Sequence, residues 1–219
     1  MYGLSCSENF IAGNLTDLNK KAPLPNHFWL MRHGEAEHNL KKVFPLEEDG
    51  FKSNLTENGK EQASLAAQFF KEAGIEVVYA SPFSRTRETA EIIALPRGLK
   101  VHKDRLLREI DIGLCEGLTK EEMKLKFPEF FEKRGLDYFG VPYPNGESPN
   151  DVRKRVLKFL KKIESVKGVV LIVSHNGFNR NLVNCLSSSS PEQVSGSEFG
   201  HGTVAEFDAE TKVLELRES

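Results

Sequence analysis

The segment VVLIVS at Val169–Ser174, followed at once by His175, Asn176 and Gly177, has the clearest pattern of a buried strand in the sequence. Its five consecutive aliphatic residues lack the alternation of a strand that has one face in water. Such a run is typical of a strand that is buried on both faces, as in a parallel sheet. Because ligands bind beyond the carboxyl ends of the strands in open α/β sheets, residues 175–177 become candidates for a functional site.

Further apolar runs of strand length lie on both sides of this stretch, and helical patterns alternate with them. We expect strands at 27–32, 75–80, 99–102, 204–207 and 212–216. We expect helices from 55 to a terminal glycine at 74, over 84–94, from 119 to about 128, from 148 to about 165, and over 176–186. Residues 40–54 and 134–147 are predicted to be loops. This alternation predicts an α/β fold, a three-layer α/β/α sandwich with a mainly parallel central sheet.

The composition is that of a folded domain rather than a disordered chain, with 39% apolar and 28% charged residues among 219. Residues 1–26 have no strand or helix pattern, so we expect an N-terminal arm at 1–26 and one domain at 27–219. The arm lacks the pattern of a signal peptide, and no stretch has the apolar length of a membrane span.

Charge and cysteine usage exclude several classes of protein. A net charge of −2 without a basic stripe excludes a nucleic-acid partner, and no feature indicates a membrane partner. The three cysteines at 6, 115 and 185 are widely spaced, which excludes a disulfide framework and a zinc ribbon. A reducing, cytoplasmic location is therefore expected. These patterns do not indicate an oligomeric state.

Basic side chains follow three of the predicted strands at the edge where ligands bind. Arg32 and His33 end the first strand, Arg85 lies shortly after the second, and His175 follows VVLIVS. Arginine offers a fixed fork of donors that matches phosphate oxygens, and neutral histidine is a nucleophile that can attack phosphorus. The four residues therefore predict a site for a phosphoryl group that needs no metal and no cofactor.

Backbone groups at the same edge are expected to add affinity for an anion. Gly34 and Gly177 would let the backbone approach a ligand closely. The helix that begins near Asn176 would point its N-terminal amides at the same region. Phosphoryl transfer to an alcohol also needs an acid, for which Glu109, Asp111 and Glu35 are the candidates, and position alone does not choose among them.

The sequence resembles the histidine phosphatase superfamily, which is also called phosphoglycerate-mutase-like. Six blocks occur in the family's order over roughly 27–208, and six ordered blocks are far more specific than one RHG tripeptide. The blocks are RHGE at 32–35 with Asn39, LTENGKEQA at 55–63, SPFSRTRETA at 81–90, LREIDIGLCEG at 107–117, PNGES at 144–148 and VSHNG at 173–177.

The resemblance implies a role for each matching residue. His33 would be the phosphorylated nucleophile, and Glu109 would protonate the leaving oxygen and then activate water. Arg32, Arg85 and His175 would bind the phosphoryl group and stabilise its charge in the transition state. Further contacts to substrate would come from Asn39, Asn176 and Gly177.

The resemblance is strongest to fructose-2,6-bisphosphatase domains and broad-specificity phosphatases. Cofactor-dependent mutases carry a longer insert before the GES block, whereas only 36 residues separate Glu109 from Gly146 here. A phosphatase acting on a small phosphorylated substrate is therefore the main prediction. A phosphoglycerate mutase and a non-catalytic module that binds a phosphorylated ligand are the alternatives.

Several residues near these blocks have plainer interpretations. Asn39 could cap local backbone, and Glu147 with Ser148 fits a helix cap better than a catalytic pair. The arginines at 153 and 155 fit a structural or solvated role. Lysines 41, 42 and 52 fit a solvated loop somewhat better than the steering of an anionic substrate.

Overall fold

The computed structural model describes residues 27–44, 53–187, 198–208 and 213–217. The predicted arm at 1–26 and Lys52 lie outside these ranges, so the predictions made for them remain predictions. The described helices include none that is long and apolar enough to cross a membrane.

A six-stranded sheet forms the centre of the molecule, with the strand order β3-β2-β4-β1-β5-β6. The strand VVLIVS is β4, and it pairs in parallel with β1 on one side and β2 on the other. β3 continues the parallel part, whereas β5 and β6 are antiparallel additions beside β1. The mainly parallel sheet is confirmed. The strands are β1 His27–Arg32, β2 Ile75–Ala80, β3 Val101–Lys103, β4 Val169–Ser174, β5 Val204–Asp208 and β6 Val213–Arg217.

Seven described α-helices surround the sheet. Successive side chains of a strand point to opposite faces, and those of β4 enter two separate cores. Val170 and Ile172 pack with Phe159 and Phe178, whereas Leu171 packs on the other face with Phe70. The three-layer sandwich is thereby confirmed. The helices are α1 Glu37–Lys41, α2 Glu57–Phe69, α3 Ser84–Ala94, α4 Lys120–Lys126, α5 Pro128–Leu136, α6 Pro149–Ile163 and α7 Asn176–Ser187.

Capping side chains begin several helices where the sequence predicts them. Thr56 accepts a hydrogen bond from the Gly59 amide at the start of α2, and Thr119 starts α4 in the same way. Ser148 caps α6 in a reciprocal pair with Asp151. Each such cap stabilises its helix by about 1 kcal/mol. The interpretation of Ser148 as a cap is therefore confirmed.

Three local predictions were wrong. The helix α5 occupies 128–136, where the segment after 128 was not expected to be helical, because Pro128 both follows α4 and starts the next helix at its first position. The short helix α1 occupies part of the expected loop at 40–54. The helix α2 ends at Phe69, and Gly74 with its φ of +61° closes the following turn instead of ending the helix.

Candidate active site

The carboxyl ends of β1, β2 and β4 bring four basic side chains together, which we call the basic pocket: Arg32, His33, Arg85 and His175. Arg32 and Ser174 are paired in register, so His33 and His175 follow adjacent strand ends, and their ring centroids are 5.2 Å apart. All but Arg32 are almost fully buried, with exposed fractions of 2% for His33, 4% for Arg85 and 0% for His175.

The hydrogen bonds of His33 define its tautomer. Its Nδ1 lies 2.7 Å from the Gly34 carbonyl oxygen, which can only accept. The Nε–H of Arg85 donates to His33 Nε2 at 3.2 Å, and arginine has no acceptor. Nδ1 therefore carries the proton, and Nε2 is unprotonated, with its lone pair directed at the guanidinium group of Arg85.

His175 has the opposite tautomer. Arg85 Nη2 donates to His175 Nδ1 at 3.2 Å, so His175 Nε2 carries the proton and donates to Ser81 Oγ at 2.9 Å. Burial and the Arg85 cation both hold the pKa of each histidine well below its ordinary value. Both rings are therefore neutral near pH 7, and one guanidinium orients them. The sequence analysis gave no role to Ser81, although it lies in the block that carries Arg85.

Arg32 supplies the second guanidinium group of the pocket. Its Nη1 donates to the Phe199 carbonyl oxygen at 2.6 Å, and its buried Nε has no hydrogen-bond partner among the described residues. Burial lowers the pKa of Arg32, and the carboxylates of Glu109 and Glu198 oppose that effect. The arginine is therefore a partly buried cation with donor capacity left for an anion.

Of the three candidate acids, the structure places one in the cleft. Glu109 lines the same cleft as the basic pocket. Glu35 instead accepts a hydrogen bond from Thr56 Oγ1 at 2.8 Å, beside the start of α2. Asp111 accepts from the Gly113 amide at 2.8 Å in a local turn. The position of Glu109 agrees with the role that the resemblance implies.

The N-terminal amides of α7 were expected to bind the ligand, and in the structure two of them bind a protein carboxylate. The Gly177 amide donates to Glu109 Oε2 at 3.1 Å, and the Phe178 amide donates to Glu109 Oε1 at 3.1 Å. A Cβ atom on Gly177 would overlap Glu109 Oε1. The glycine therefore allows the helix to approach the carboxylate, and the positive end of α7 binds Glu109.

Gly34 lies in a close packing contact with α2. A Cβ atom at Gly34 would overlap the carbonyl oxygen of Gly59 in α2. Its amide donates to Thr89 Oγ1 at 3.1 Å. The close contact of the two glycines fixes α2 against the loop that follows His33.

Two asparagines that were predicted to contact substrate line the cleft and also bond to nearby backbone. Asn39 Oδ1 accepts from the Ala36 amide at 2.9 Å, and Asn39 Nδ2 donates to His38 Nε2 at 3.1 Å. Asn176 Oδ1 accepts from the Phe199 amide at 3.0 Å. Both therefore hold loops at the rim of the basic pocket.

Two further histidines surround His33 that the sequence analysis missed. The ring centroid of His38 is 6.1 Å from that of His33, and the centroid of His201 is 5.8 Å away. Burial, and then Arg85, lowers the pKa of His38 to about 3, and burial lowers the pKa of His201 to about 4. A histidine five residues after His33 was the available signal, but it lies on the unpredicted helix α1.

The cleft has a volume of about 330 Å³, and Arg32, His33 and Arg85 of the basic pocket line it together with Glu109. Within the described residues, no group of three or more histidine, cysteine, aspartate or glutamate side chains is arranged to hold a metal ion. The rest of the lining mixes charged, aliphatic and aromatic side chains, among them Lys42, Val43, Phe44, Ile112, Glu116, Tyr143 and Arg180.

The sequence is similar to curated bisphosphatases over most of its length. It is 34% identical over 161 residues to fructose-2,6-bisphosphatase of Saccharomyces cerevisiae, covering 72% of this chain and 33% of that protein. It is 32% identical over 172 residues to 6-phosphofructo-2-kinase/fructose-2,6-bisphosphatase of Gallus gallus, covering 78% and 34% respectively. The chain thus spans about a third of the length of these relatives.

Solved structures with this fold match more completely. Phosphoserine phosphatase from Entamoeba histolytica, in complex with 3-phosphoglyceric acid, is 26% identical with a TM-score of 0.73, and the match covers 88% of this chain and 95% of that one. The α-ribazole phosphatase from Shigella flexneri is 25% identical with a TM-score of 0.75, covering 87% and 94%.

The family comparison covers nearly all of the predicted domain. The model of the histidine phosphatase superfamily (branch 1) matches residues 28–218. The match includes every residue of the basic pocket and Glu109, which agrees with the blocks found in the sequence. The chain belongs to branch 1 of the histidine phosphatase superfamily.

Proposed function

We propose that the protein is a phosphatase that hydrolyses a small phosphomonoester through a phosphohistidine at His33. The observation that carries the proposal is the unprotonated Nε2 of His33, which accepts a hydrogen bond from Arg85 in a side chain that lines the cleft. A nucleophile of this kind must be unprotonated, and the lowered pKa of His33 keeps it so near pH 7. Family membership and the phosphatases among its relatives agree with this function.

The reaction divides into two displacements at phosphorus. In the first, the Nε2 lone pair of His33 forms a P–N bond while the bond from phosphorus to the leaving oxygen breaks, and that oxygen takes a proton from Glu109. In the second, Glu109 takes a proton from water, the water oxygen attacks phosphorus, and the P–N bond breaks to release inorganic phosphate. Arg32 and Arg85 stabilise the charge on the phosphoryl oxygens in both steps.

The contacts of Glu109 indicate which oxygen carries the proton. Oε1 accepts from two amides, those of Ile110 at 2.9 Å and Phe178 at 3.1 Å. Oε2 accepts from the Gly177 amide alone. Since an amide N–H can only donate, the proton must occupy a lone pair that no amide uses, and we assign it to Oε2.

The size of the cleft favours a small phosphorylated metabolite as substrate. A space of about 330 Å³ holds a phosphoryl group and a compact leaving group. Lys42, Arg180 and Glu116 in its lining favour a polar leaving group. We also propose a cytoplasmic location, which agrees with the free thiols of Cys115 and Cys185.

The test is to trap the phosphoenzyme. Rapid acid-free quenching during turnover, followed by intact-mass measurement, should show one added phosphate that is stable in alkali and labile in acid. His33→Ala should abolish it, whereas His102→Ala at an exposed site on β3 should not. Equal labelling of the His33 variant would overturn the proposal.

The same experiment separates the two alternative functions. Transfer of the label to a phosphoglycerate rather than to water would indicate a mutase. Tight binding of phosphorylated compounds with neither labelling nor turnover would indicate a binding module.

A further inference from the structure

The GES block and α6 form a largely buried ion pair that has no role in the proposed reaction. Glu147 lies just before α6, and Arg155 lies on α6 itself. Arg155 Nε donates to Glu147 Oε1 at 2.8 Å, and Arg155 Nη2 donates to Glu147 Oε2 at 2.7 Å. The side chains are only 12% and 15% exposed. This is a bidentate pair in a partly desolvated position, where such pairs are strong and geometrically specific.

The other donors of Arg155 all bind one short segment of backbone. We call this segment, residues 106–111, the acid segment because it carries Glu109. Arg155 Nη1 donates to the carbonyl oxygens of Leu106 at 2.7 Å and Arg108 at 3.1 Å, and Nη2 donates to that of Glu109 at 3.3 Å. The five N–H groups of the guanidinium are therefore all used, two on Glu147 and three on the acid segment.

Glu147 binds the far end of the same segment. Its Oε2 accepts from the Asp111 amide at 3.0 Å, and its own amide donates to the Asp111 carbonyl oxygen at 2.7 Å. The ion pair thus spans the acid segment from Leu106 to Asp111. No described strand includes this segment, so side chains supply the hydrogen bonds that a sheet would otherwise supply.

We propose that Arg155 and Glu147 are positioning residues for Glu109. The proposal rests on the assignment of Glu109 as the acid. The carboxylate of Glu109 is held by the amides of α7, and its backbone is held by Arg155. With both ends fixed, Oε2 has one orientation towards the leaving oxygen.

Loss of the ion pair should loosen this orientation without removing the acid. Proton transfer requires heavy atoms within about 2.6–3.2 Å, and a misplacement of about 1 Å can cost about 100-fold in rate. The amides of α7 would still bind the carboxylate, so Glu109 would stay in the cleft with a less defined orientation. The hydrogen bonds of the basic pocket would be kept, because none of them involves Arg155 or Glu147.

The test uses two variants and two substrates. Arg155→Lys keeps the charge but has too few donors, and Glu147→Gln keeps the shape but removes the ion pair. An alkyl phosphate needs an acid to expel its alcohol, whereas 4-nitrophenyl phosphate has a leaving group that needs little help. We expect kcat/KM to fall about 30- to 100-fold for the alkyl phosphate and less than about 3-fold for 4-nitrophenyl phosphate.

The matched control is Lys162→Gln on the same helix. Lys162 Nζ binds Asp104 Oδ2 at 2.7 Å, so it also ties α6 to the chain, but this hydrogen bond lies just before the acid segment. We expect Lys162→Gln to change kcat/KM by the same factor for both substrates. In the Glu109→Gln background, Arg155→Lys should cause little further loss, because residues that act through one group are not additive.

The outcomes separate this inference from the assignment of the acid. Suppose Glu109→Gln lowers kcat/KM more for the alkyl phosphate, but Arg155→Lys and Glu147→Gln lower it equally for both substrates, or the losses add in the double variant. Only the positioning role is then overturned. If Glu109→Gln itself lowers kcat/KM equally for both substrates, Glu109 is not the acid, and the positioning role is overturned as well. Should Arg155→Lys fail to fold, Glu147→Gln alone decides by the same ratio of kcat/KM values.

Discussion

The two halves of the site are held by different means. The basic pocket continues the sheet: the His33 amide donates to the Ser174 carbonyl oxygen at 3.0 Å, and the Ser81 amide donates to that of Val173 at 3.1 Å. The acid segment has no strand, and the side chains of Arg155, Glu147 and Ser174 bind its backbone. The basic pocket is therefore positioned by backbone hydrogen bonds at the sheet edge, and the acid segment by a few side chains that single substitutions can remove.

This difference suggests a division of labour in phosphoryl transfer. The phosphoryl group is common to every phosphomonoester, so the groups that bind it gain from a rigid sheet edge. The leaving group differs from one substrate to another, and the acid that serves it lies on a segment whose position other side chains set. Variants in the two halves should therefore differ in one measurable respect, the dependence of the rate on the leaving group.

The largest effect is expected from Arg85→Ala in the basic pocket. Its guanidinium orients both His33 and His175, and it would bind the phosphoryl oxygens. We expect kcat/KM to fall about 10³-fold, since loss of one preorganised donor costs about 10²–10³-fold. The loss should be the same for alkyl and 4-nitrophenyl phosphates.

The control for this variant is Arg87→Ala, two residues later on α3. Arg87 forms a half-exposed pair with Glu91 at 3.7 Å, so its removal should leave kcat/KM within about 2-fold. If Arg85→Ala lowered kcat/KM much more for one of the two substrates, the basic pocket and the acid segment would not act independently.

A smaller effect, confined to the acid half, is expected from Gly177→Ala. The new Cβ would overlap Glu109 Oε1 and press on Ile110. The carboxylate must move, so kcat/KM for the alkyl phosphate should fall about 10- to 100-fold, with little change for 4-nitrophenyl phosphate. Steady-state kinetics on both substrates measures the ratio.

The chain offers a matched glycine as the control. Gly135 lies in α5, and a Cβ there would meet no atom within 4 Å. Gly135→Ala should leave both rates unchanged and stabilise the helix by up to about 1 kcal/mol. Equal losses for both substrates in Gly177→Ala would argue that the contact affects the whole site rather than the acid.

The sequence reveals the half of the site that the sheet positions. Arg32, His33 and His175 directly follow apolar runs, and parallel strands end at one edge, so their meeting could be predicted from pattern alone. The acid could not be chosen in this way. Glu109 lies on a segment without strand pattern, and only resemblance to a family separated it from Glu35 and Asp111.

The contacts missed by the sequence analysis are those that depend on packing between distant segments. Arg155 was expected to be structural or solvated, which does not reveal that it binds backbone 46 to 49 residues earlier. The hydrogen bonds from the α7 amides to Glu109 were missed for the same reason. Local patterns show that a helix begins at Asn176, but they do not show which anion its N-terminal amides bind.

A third prediction concerns the pH dependence of the basic pocket. Burial and the neighbouring cations lower the pKa of His33 well below 6.5, so protons do not compete for Nε2 until the pH is far below that value. With 4-nitrophenyl phosphate, and after correction for ionisation of the substrate, kcat/KM should fall less than about 2-fold between pH 6.5 and 5.5. A nucleophile with the ordinary pKa would lose about 5-fold over that range. A loss of that size would contradict the neutral tautomer assigned to His33.

The last prediction concerns stability, and it again separates the two halves, because residues 104–115 contain no histidine. The pKa of His38 falls from 6.5 in the unfolded chain to about 3 in the folded protein, owing to burial and the charges of Arg85 and Arg32. Between these values the unfolded chain binds a proton that the folded protein does not, so the free energy of unfolding decreases as the pH falls below 6.5. The contribution of His38 between pH 6.5 and 5.5 is about 1 kcal/mol. In urea unfolding, His38→Gln should therefore lose less free energy of unfolding between pH 6.5 and 5.5 than the unchanged protein does, by about this amount. If the variant lost as much as the unchanged protein, His38 would have to be protonated in the folded protein, and the acid sensitivity would have to come from other groups.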